Sequence, residues 1–554
     1  MKISLAQINY HVGNFDYNSK LIIEAIKKAR SEKSDIVLFS ELAICGYPPH
    51  DLLEQKDFIE KCEKAINRIA EYCSDITAII GTPTINKGPS GKRLYNSAVV
   101  ISECKIRETI NKTLLPTYDI FDEYRHFEPG AHFTLINVRG KKVAVTVCED
   151  LWDEQGFDNE FLNSRMYSVS PMDELQKLKP DLILNLSASP YSASRSEMKT
   201  RIFTGKAAKH GLPLLMCNQV GANTELIFEG ASMVIAPDGK VYDQLKSFDQ
   251  DFASYELEDI IKGNTKPAER NDNRIASIYK ALVLGSSDYF RKMNFSSGVL
   301  GLSGGIDSAV CLCIAAEALG PERLRVLLMP SMYSSQHSID DARELANKLG
   351  IKYDIINISD IYHQTVKALT PVFNDLPEDV TEENIQARIR ALLLMAVSNK
   401  YGNILINTSN KSEAAVGYGT LYGDMAGAFS ILGDVYKTDV FRLARYINRD
   451  SLIIPENTII KEPSAELRPE QKDSDSLPDY EILDSILYQF IELQKPVRNI
   501  TGKNISPELV RKLIGMINAN EYKRFQSPPI LRISSKAFGL GRRIPLVADF
   551  NYPD

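Results

Sequence analysis

The strongest constraint on the fold of this chain is a six-residue loop, SGGIDS, at positions 303–308. The apolar run VLGLS leads into the loop, and the helix-like run SAVCLCIAAEAL leads out of it. A strand that passes through two glycines into a helix is typical of a parallel sheet with helices on both faces. Strand and helix patterns continue to alternate over residues 274–554. We therefore predict a doubly wound α/β fold for this part of the chain.

The first 255 residues show a different pattern, in which short apolar runs are closely spaced. Such runs predict strands at KISLAQI, DIVLFSEL, ITAIIGTP, NSAVVI, KVAVTVCED, DLILNLSAS, LPLLMCNQ and ASMVIAP, with helices at IIEAIKKARSE and FIEKCEKAINRIAEY. This pattern indicates α/β layers with a large sheet content. A polar stretch containing Gly263 and Pro267 follows. We interpret residues 256–273 as a linker between two domains, 1–255 and 274–554.

Length and composition exclude several classes of protein. A chain of 554 residues is too long for one hydrophobic core. Its net charge of −7 argues against a general nucleic-acid binder, which needs a basic excess. We find no apolar run of membrane-spanning length, and the N-terminus lacks the pattern of a signal peptide. The chain also has no CxxC or HExxH motif, which disfavours a zinc site. We expect a cytoplasmic enzyme with neither nucleic-acid nor membrane partners.

The SGGIDS loop is suited to binding phosphate at the start of a helix. Gly304 and Gly305 let the backbone approach an anion, and Ser303 and Ser308 supply hydroxyl groups. The alternative is a tight turn that needs glycine only for a positive φ. No Gly-Lys pair precedes Ser or Thr, so a Walker A nucleotidase is disfavoured. The loop lacks the lysine that would reach a γ-phosphate, which favours adenylation with pyrophosphate held as the leaving group. Asp307 would repel phosphate unless Mg²⁺ lay between them.

Three separated residues of the first domain favour nucleophilic catalysis. Glu41 lies in FSELAICGYPP, Lys112 in NKTLLPTYDIFDE and Cys148 in VTVCEDLW. A cysteine attacks as the thiolate, a carboxylate can accept its proton, and an ammonium group can stabilise the resulting oxyanion. Taken singly, each residue is more often a core cysteine or a surface charge. Their joint occurrence favours the catalytic interpretation.

These motifs resemble two known families. Residues 1 to about 240 resemble the nitrilase superfamily, with its Glu–Lys–Cys triad, and SGGIDS resembles the pyrophosphate loop of the N-type ATP pyrophosphatases. Together they resemble the family of glutamine-dependent NAD synthetases. The resemblance implies a nitrilase-like αββα sandwich followed by an adenine nucleotide α-hydrolase-like domain. It also implies a Mg²⁺-dependent homo-oligomer that uses ATP and ammonia from L-glutamine to amidate deamido-NAD.

The resemblance further implies a role for particular residues. Glutamine would contact Tyr118, Ser189 and Arg195, whose guanidinium fork suits an α-carboxylate. The implied ATP contacts are Gly301, Leu302, Ser303, Gly304, Gly305, Ile306, Asp307, Ser308 and Thr408. The implied deamido-NAD contacts are Asn384, Glu413, Tyr418, Gly419, Thr420, Leu421 and Lys523, with Arg388 and Asp424 nearby. Asp307 and Glu413 would hold the metal. Lys437 in GDVYKTD and Ser464 in KEPSAEL lie in segments that match the sequences of the family more loosely.

Two other functions stay open at this point. One is an amidotransferase that acts on a different acceptor, which the dinucleotide-like segments disfavour. The other is a nucleotide-binding regulator with an inactive nitrilase domain, which the intact Glu41, Lys112 and Cys148 disfavour. The polar stretch LRPEQKDSDSLPDY is either a lid over the nucleotide or an ordinary solvated loop.

Overall fold

The computed structural model of the chain describes residues 1–154, 166–263, 273–374 and 376–550. The chain forms two compact units, residues 1–272 and 273–554. A helix at Leu257–Lys262 buries Leu257 and Ile260 in the core of the first unit. This helix occupies the start of the predicted linker, so the first unit extends beyond the predicted boundary. The rest of that linker, residues 264–272, lies outside the described residues.

The first unit contains two six-stranded sheets and a short hairpin among its described residues. Its strands are β1 (Lys2–Gln7), β2 (Ile36–Leu38), β3 (Thr77–Ile85), β4 (Leu94–Ser102), β5 (Lys105–Asn111), β6 (Leu135–Val138), β7 (Lys141–Val147), β8 (Leu182–Ser187), β9 (Leu214–Asn218), β10 (Val220–Asn223), β11 (Leu226–Glu229), β12 (Met233–Ile235), β13 (Val241–Gln244) and β14 (Asp251–Glu256). Its helices are α1 (Phe15–Ser31), α2 (Lys56–Ala70), α3 (Pro171–Gln176), α4 (Ser196–His210) and α5 (Leu257–Lys262).

The two large sheets of this unit pack face to face. Their strand orders are β14-β1-β2-β3-β4-β5 and β13-β12-β9-β8-β7-β6. Alternation along β2 shows the layering: Ile36 and Leu38 pack in the core between the sheets, whereas Val37 packs with residues of α1 and α2. On the other side, α3 and α4 cover the second sheet, with Phe203 of α4 in that core. The layers follow the predicted order, helix–sheet–sheet–helix.

The second unit is built around one five-stranded parallel sheet. Its strands are β15 (Gly298–Gly301), β16 (Leu324–Leu328), β17 (Lys352–Ile355), β18 (Ile404–Asn407) and β19 (Phe429–Ser430). Its helices are α6 (Arg274–Lys292), α7 (Ile306–Leu319), α8 (Gln336–Leu349), α9 (Ser359–Phe373), α10 (Val380–Tyr401), α11 (Lys411–Val416), α12 (Lys437–Ile447), α13 (Glu456–Ile460), α14 (Tyr480–Leu487), α15 (Pro507–Ala519) and α16 (Glu521–Arg524). Among the residues described, no helix is both long and apolar enough to cross a membrane.

The strand order β17-β16-β15-β18-β19 confirms the predicted doubly wound sheet. One face packs against α10, where Ile385 and Ile389 meet Val299 and Leu405 of the central strands. The order of the strands reverses at β15, because the chain first adds β16 and β17 on one side of β15 and then returns to add β18 and β19 on the other side. The loops that follow β15 and β18 therefore lie side by side at the carboxyl edge. Ligands of open α/β sheets bind at this position.

Candidate active sites

The first site is centred on Cys148, which directly follows β7 and starts a short 3₁₀-helix. Its φ of +43° places the cysteine in the left-handed region, and its side chain is buried. Asp150 holds the turn, because its carboxylate accepts hydrogen bonds from the N–H groups of Thr113 and Leu114, both at 2.9 Å. The turn that presents the thiol is thereby tied to the segment that follows Lys112.

Lys112 is fully buried and lies between two carboxylates. Its Nζ donates to Glu41 Oε1 at 2.7 Å and to both oxygens of Glu123, at 2.9 and 2.7 Å. Asn96 Nδ2 also donates to Glu41 Oε1, at 2.7 Å, and the N–H of Ala188 donates to its other oxygen, at 3.2 Å. Glu41 is thus oriented by hydrogen bonds from three directions.

The charges of this site affect the thiol and the carboxylates differently. Burial, together with the negative charge of Glu41, holds the pKa of the Cys148 thiol well above its usual range, although Lys112 opposes this shift. Burial opposes the charge on Lys112, but the carboxylates of Glu123 and Glu41 more than offset it and raise the pKa of the lysine. The cysteine therefore rests as a neutral thiol and needs a base to become a nucleophile.

Glu123 is a member of this site that the sequence did not identify. Its carboxylate accepts hydrogen bonds from Lys112 and from the Tyr47 hydroxyl, the latter at 2.9 Å. Burial raises the pKa of Glu123 to about 7, with Lys112 acting in the opposite direction. The residue lies within the motif around Lys112, but nothing in its local pattern distinguishes it from the exposed Asp122 that precedes it.

The predicted glutamine contacts are linked to this site through their neighbours. The Tyr118 hydroxyl donates to Glu149, the residue after the cysteine, at 3.0 Å. Ser189 follows the residue whose N–H donates to Glu41, and its own N–H donates to Asn218 Oδ1 at 2.9 Å. Arg195 precedes α4, with its guanidinium 3.9 Å from the carboxylate of Asp119, the residue after Tyr118.

The second site begins at the SGGIDS loop, where the two glycines differ in backbone conformation and in the space that a Cβ atom would have. Gly304 has a φ of +80°, and a Cβ there would lie 2.1 Å from the carbonyl oxygen of Ser338. Gly305 has a φ of −80°, and a Cβ there would meet only Ser303 Oγ, at 3.2 Å. Gly304 is required by the packing of the loop, whereas Gly305 leaves the N-terminus of α7 uncovered. Exposed N–H groups at a helix N-terminus favour an anion.

A cavity of about 310 Å³ lies beside this loop. Of the predicted ATP contacts, those that line it are Gly301, Leu302, Ser303, Gly305, Ile306, Asp307, Ser308 and Thr408. Gly304 instead faces Ser338. Ser464 also lines the cavity, as do Leu467 and Asp473 of the predicted lid. The Tyr418 hydroxyl donates to Asp473 at 3.1 Å, so this polar segment contacts the site, and the Tyr480 hydroxyl of the same segment donates to Asp473 at 2.8 Å.

The two predicted metal ligands meet in this cavity and share one cation. Lys437 Nζ lies 2.5 Å from Asp307 Oδ2 and 3.0 Å from Glu413 Oε1. Asn410 Nδ2 donates to the other oxygen of Asp307 at 2.9 Å. Burial raises the pKa of Glu413 to about 7, against the opposing effect of Lys437. Two carboxylates that converge on a cation are a suitable donor set for Mg²⁺, which prefers oxygen ligands.

The predicted deamido-NAD contacts fall into two groups. Glu413 and Tyr418 line the cavity. The other predicted contacts lie outside its lining, namely Asn384, Gly419, Thr420, Leu421 and Lys523. The second group is nonetheless held together. The Thr420 hydroxyl donates to Asn384 Oδ1 at 2.6 Å, and Lys523 Nζ donates to the carbonyl of Gly419 at 2.8 Å. Asp424, which lines the cavity, accepts from the N–H of Thr420 at 2.6 Å, and this links the two groups. Arg388 Nε donates to the carbonyl of Leu421 at 3.3 Å.

Arg390 is a further cavity residue that the sequence did not single out, although it lies in the motif ENIQARIR. Its Nε donates to the carbonyl of Met329 at 3.1 Å, and burial lowers its pKa to about 10. A guanidinium group in this position adds positive charge to the cavity beside the predicted phosphate loop.

Comparison with known proteins agrees with the division of the chain into two units. The carbon–nitrogen hydrolase family model matches residues 2–258, and the NAD synthase family model matches residues 278–527. The glutamine-dependent NAD(+) synthetase of Synechocystis sp. is 41% identical, over 99% of both chains. That of Acinetobacter baylyi is 41% identical, over 99% of this chain and 98% of its own.

Solved structures show the same likeness. The glutamine-dependent NAD+ synthetase of Acinetobacter baumannii, in complex with ADP, is 37% identical, with a TM-score of 0.77 over 100% of this chain and 99% of its own. The enzyme of Cytophaga hutchinsonii shares the fold at 22% identity, with a TM-score of 0.82 over 99% of this chain and 98% of its own.

Proposed function

Because this chain belongs to the family of glutamine-dependent NAD(+) synthetases, we infer that it amidates deamido-NAD to NAD with nitrogen from L-glutamine. The reaction is a ligation that consumes ATP and gives AMP, pyrophosphate and glutamate. The observation that carries this inference is that one chain holds both a buried Glu–Lys–Cys site and a phosphate loop beside a cavity.

In the first domain, we assign Cys148 as the nucleophile that attacks the side-chain amide carbon of glutamine. Glu41 accepts the thiol proton, and Lys112 stabilises the oxyanion of the tetrahedral intermediate. Glu41 then returns the proton to the leaving nitrogen, and ammonia departs. Water hydrolyses the thioester in the same way, with Glu41 again as the base. The buried hydrogen bond between Lys112 and Glu41, and the raised pKa of the thiol, support these roles.

Recognition of glutamine is assigned to the three residues that surround this site. Arg195 suits the α-carboxylate of the amino acid because its guanidinium group can bind two oxygens at once. Tyr118 and Ser189 are the other assigned contacts, and the hydrogen bond from Tyr118 to Glu149 supports a position close to the nucleophile.

In the second domain, a carboxylate oxygen of the nicotinate group attacks the α-phosphorus of ATP, and pyrophosphate leaves. We assign pyrophosphate binding to residues 303–308 and further ATP contact to Thr408. Ammonia then attacks the activated carbonyl carbon, and AMP leaves with the former carboxylate oxygen. Activation is required because a bare carboxylate oxygen is a very poor leaving group. The linked group of Asn384, Thr420 and Lys523 supports a dinucleotide site beside the cavity.

We propose that Asp307 and Glu413 hold the Mg²⁺ that accompanies ATP. Their oxygens already converge on one cation, so the donor set fits a hard divalent ion. The bound ion would offset the phosphate charge and stabilise pyrophosphate as it leaves. On the strength of the family resemblance, we also propose that the enzyme is a homo-oligomer and acts in the cytoplasm.

A Cys148→Ala variant tests the assignment of the two half-reactions. NAD formation from glutamine should fall by about 1,000-fold or more, because the nucleophile is lost. Formation from added ammonia should stay within about twofold of wild type, since the adenylation residues lie in the other domain. Cys104→Ala, at an exposed cysteine of the same domain, is the matched control and should retain both activities. Loss of both activities in folded Cys148→Ala would contradict the assignment.

An Asp307→Asn variant tests the metal assignment. NAD formation should drop by about 100-fold with either nitrogen source, because one of the two carboxylates that hold the metal is lost. Glutamate release in the absence of ATP should be unchanged. Steady-state rates over a range of Mg²⁺ concentrations measure the effect. A normal rate with ammonia at low Mg²⁺ would remove Asp307 from the metal site.

A further inference from the structure

The carboxylates assigned to magnesium are already bridged by a lysine of the chain itself. Lys437 is the first residue of α12, and its side chain is only 2% exposed. Its Nζ is a hydrogen-bond donor to Asp307 at 2.5 Å and to Glu413 at 3.0 Å. The ammonium group therefore occupies the space between the two carboxylates to which the metal is assigned.

The surroundings of Lys437 also favour a cation at this position. The Tyr480 ring centroid lies 5.1 Å from Nζ, within range for a cation–π contact. Asp473, a third carboxylate, lines the same cavity and is held by two tyrosine hydroxyls. Lys437 itself lines the cavity, so a ligand bound there could receive its ammonium group.

A second buried lysine of this domain provides a contrast. Lys411 is fully buried and pairs with Asp434 at 2.9 Å and with Glu492 at 3.2 Å. Those carboxylates are absent from the wall of the cavity, so no ligand of the cavity competes for that lysine. Lys437 differs because both of its carboxylate partners, Asp307 and Glu413, are also the proposed ligands of the metal.

Two cations cannot occupy this position together. A metal that binds Asp307 and Glu413 must displace the ammonium group of Lys437, which would then lose both of its carboxylate partners. A buried charge without a partner is costly. A triphosphate in the cavity removes this cost, because its oxygens can accept the displaced ammonium group.

We propose that Lys437 is an internal counter-cation that opposes metal binding at Asp307 and Glu413 until a nucleotide phosphate receives its charge. This inference rests on the proposed metal site. It makes the binding of metal and of nucleotide mutually dependent, and a coupling of this kind acts equally in both directions.

The test measures Mn²⁺ binding to the full-length protein by the electron paramagnetic resonance signal of the free ion. Wild type should bind Mn²⁺ weakly at this site without nucleotide, and more tightly with a non-hydrolysable ATP analogue. Lys437→Gln should bind Mn²⁺ without nucleotide about tenfold or more tightly than wild type, within the range of typical coupling energies. Lys437→Met, which keeps the apolar stem, should behave in the same way if the glutamine variant is unstable.

Two controls locate the effect. Lys461→Gln removes the same charge from the wall of the same cavity, but Lys461 contacts Ser338 Oγ at 3.0 Å and neither metal ligand. It should bind Mn²⁺ as wild type does. Addition of Asp307→Asn to Lys437→Gln should abolish the tight site.

The outcomes separate this inference from the metal assignment. Unchanged or weaker Mn²⁺ binding in the folded Lys437 variants, with normal binding by wild type plus analogue, would overturn the counter-cation role alone. If wild type failed to bind Mn²⁺ even with the analogue, the metal assignment would fall and this inference with it.

Discussion

A single buried ammonium group, that of Lys112, lies between Glu41 and Glu123. Two carboxylates share this charge, because Lys112 donates to Glu41 at 2.7 Å and to Glu123 at 2.7 and 2.9 Å. When Glu123 is ionised, it draws part of the lysine charge away from Glu41. When Glu123 is protonated, Lys112 pairs with Glu41 alone, so the carboxylate that has to receive the thiol proton is held by the whole ammonium charge.

This sharing predicts the pH dependence of glutamine hydrolysis. Burial raises the pKa of Glu123 to about 7, so the residue gains a proton as the pH falls through that value. The rate of glutamate release should therefore decline as the pH falls from 8 to 6. Glu123→Gln should lack this decline in rate between pH 8 and 6, and it should release glutamate about tenfold more slowly than wild type at pH 8. Glutamate release measured between pH 5.5 and 9 provides the profiles.

The matched control for this experiment is Asp122→Asn, which removes an exposed carboxylate one residue away. It should retain the wild-type profile. If the rate of Glu123→Gln declined below pH 8 as that of wild type does, the titrating group would have to be another residue.

At this scale, the sequence predicts residues whose role has a local signature. Cys148 ends an apolar strand, and Glu41 and Lys112 lie in motifs that resemble a known triad. Glu123 could not be predicted, because its burial arises only when the chain brings it against Lys112 and Tyr47. An acidic residue in a polar segment is otherwise a typical surface residue.

At the scale of elements, the junction between β15 and α7 depends on two glycines with separable roles. Gly304→Ala should lower the free energy of unfolding by about 2 kcal/mol or more, because it combines a positive φ with a clash at the Ser338 carbonyl. Gly305→Ala should change stability by less than about 0.5 kcal/mol, yet should weaken ATP binding, since its methyl group lies at the N-terminus of α7.

Thermal unfolding and calorimetric titration with ATP measure these two effects, and each variant is the control for the other. Equal losses of stability in both variants would contradict the distinction between the glycines.

The elements themselves were predictable where burial leaves a pattern in the sequence. Strand β8 is buried along its whole length and is predicted from its apolar run. Strand β5 was missed, because its sequence KIRETIN is mostly exposed and it forms only by pairing with β4. Helix α4 was also missed, since its buried face contains charged residues: Lys206 is buried and lies 2.7 Å from the Asp153 carboxylate.

At the scale of the whole molecule, each unit contains one of the two sites and has its own core. Ammonia released without an activated acceptor is protonated at neutral pH and lost. We therefore expect glutamate release to be slow when the second site is empty and to rise when ATP and deamido-NAD fill it. A coupling of about 1–3 kcal/mol corresponds to roughly 5- to 150-fold stimulation.

The measurement is glutamate release with and without both ligands, with Cys148→Ser as the control for background hydrolysis. The Asp307→Asn variant should show little stimulation, because its second site is impaired. Equal rates in the empty and filled states would exclude coupling, while both catalytic assignments would remain.

The arrangement around Lys112 also has a consequence for how charge moves during the reaction. With Glu123 ionised, the group formed by Glu41, Glu123, Lys112 and Cys148 carries a net charge of about −1 before attack. Transfer of the thiol proton to Glu41 neutralises that carboxylate while an oxyanion forms on the substrate, so the total stays the same. Negative charge thus migrates a short distance around a fixed ammonium group and does not appear or vanish. A dry pocket can support such a migration with little rearrangement of its dipoles, which is the condition under which an enclosed site outperforms water.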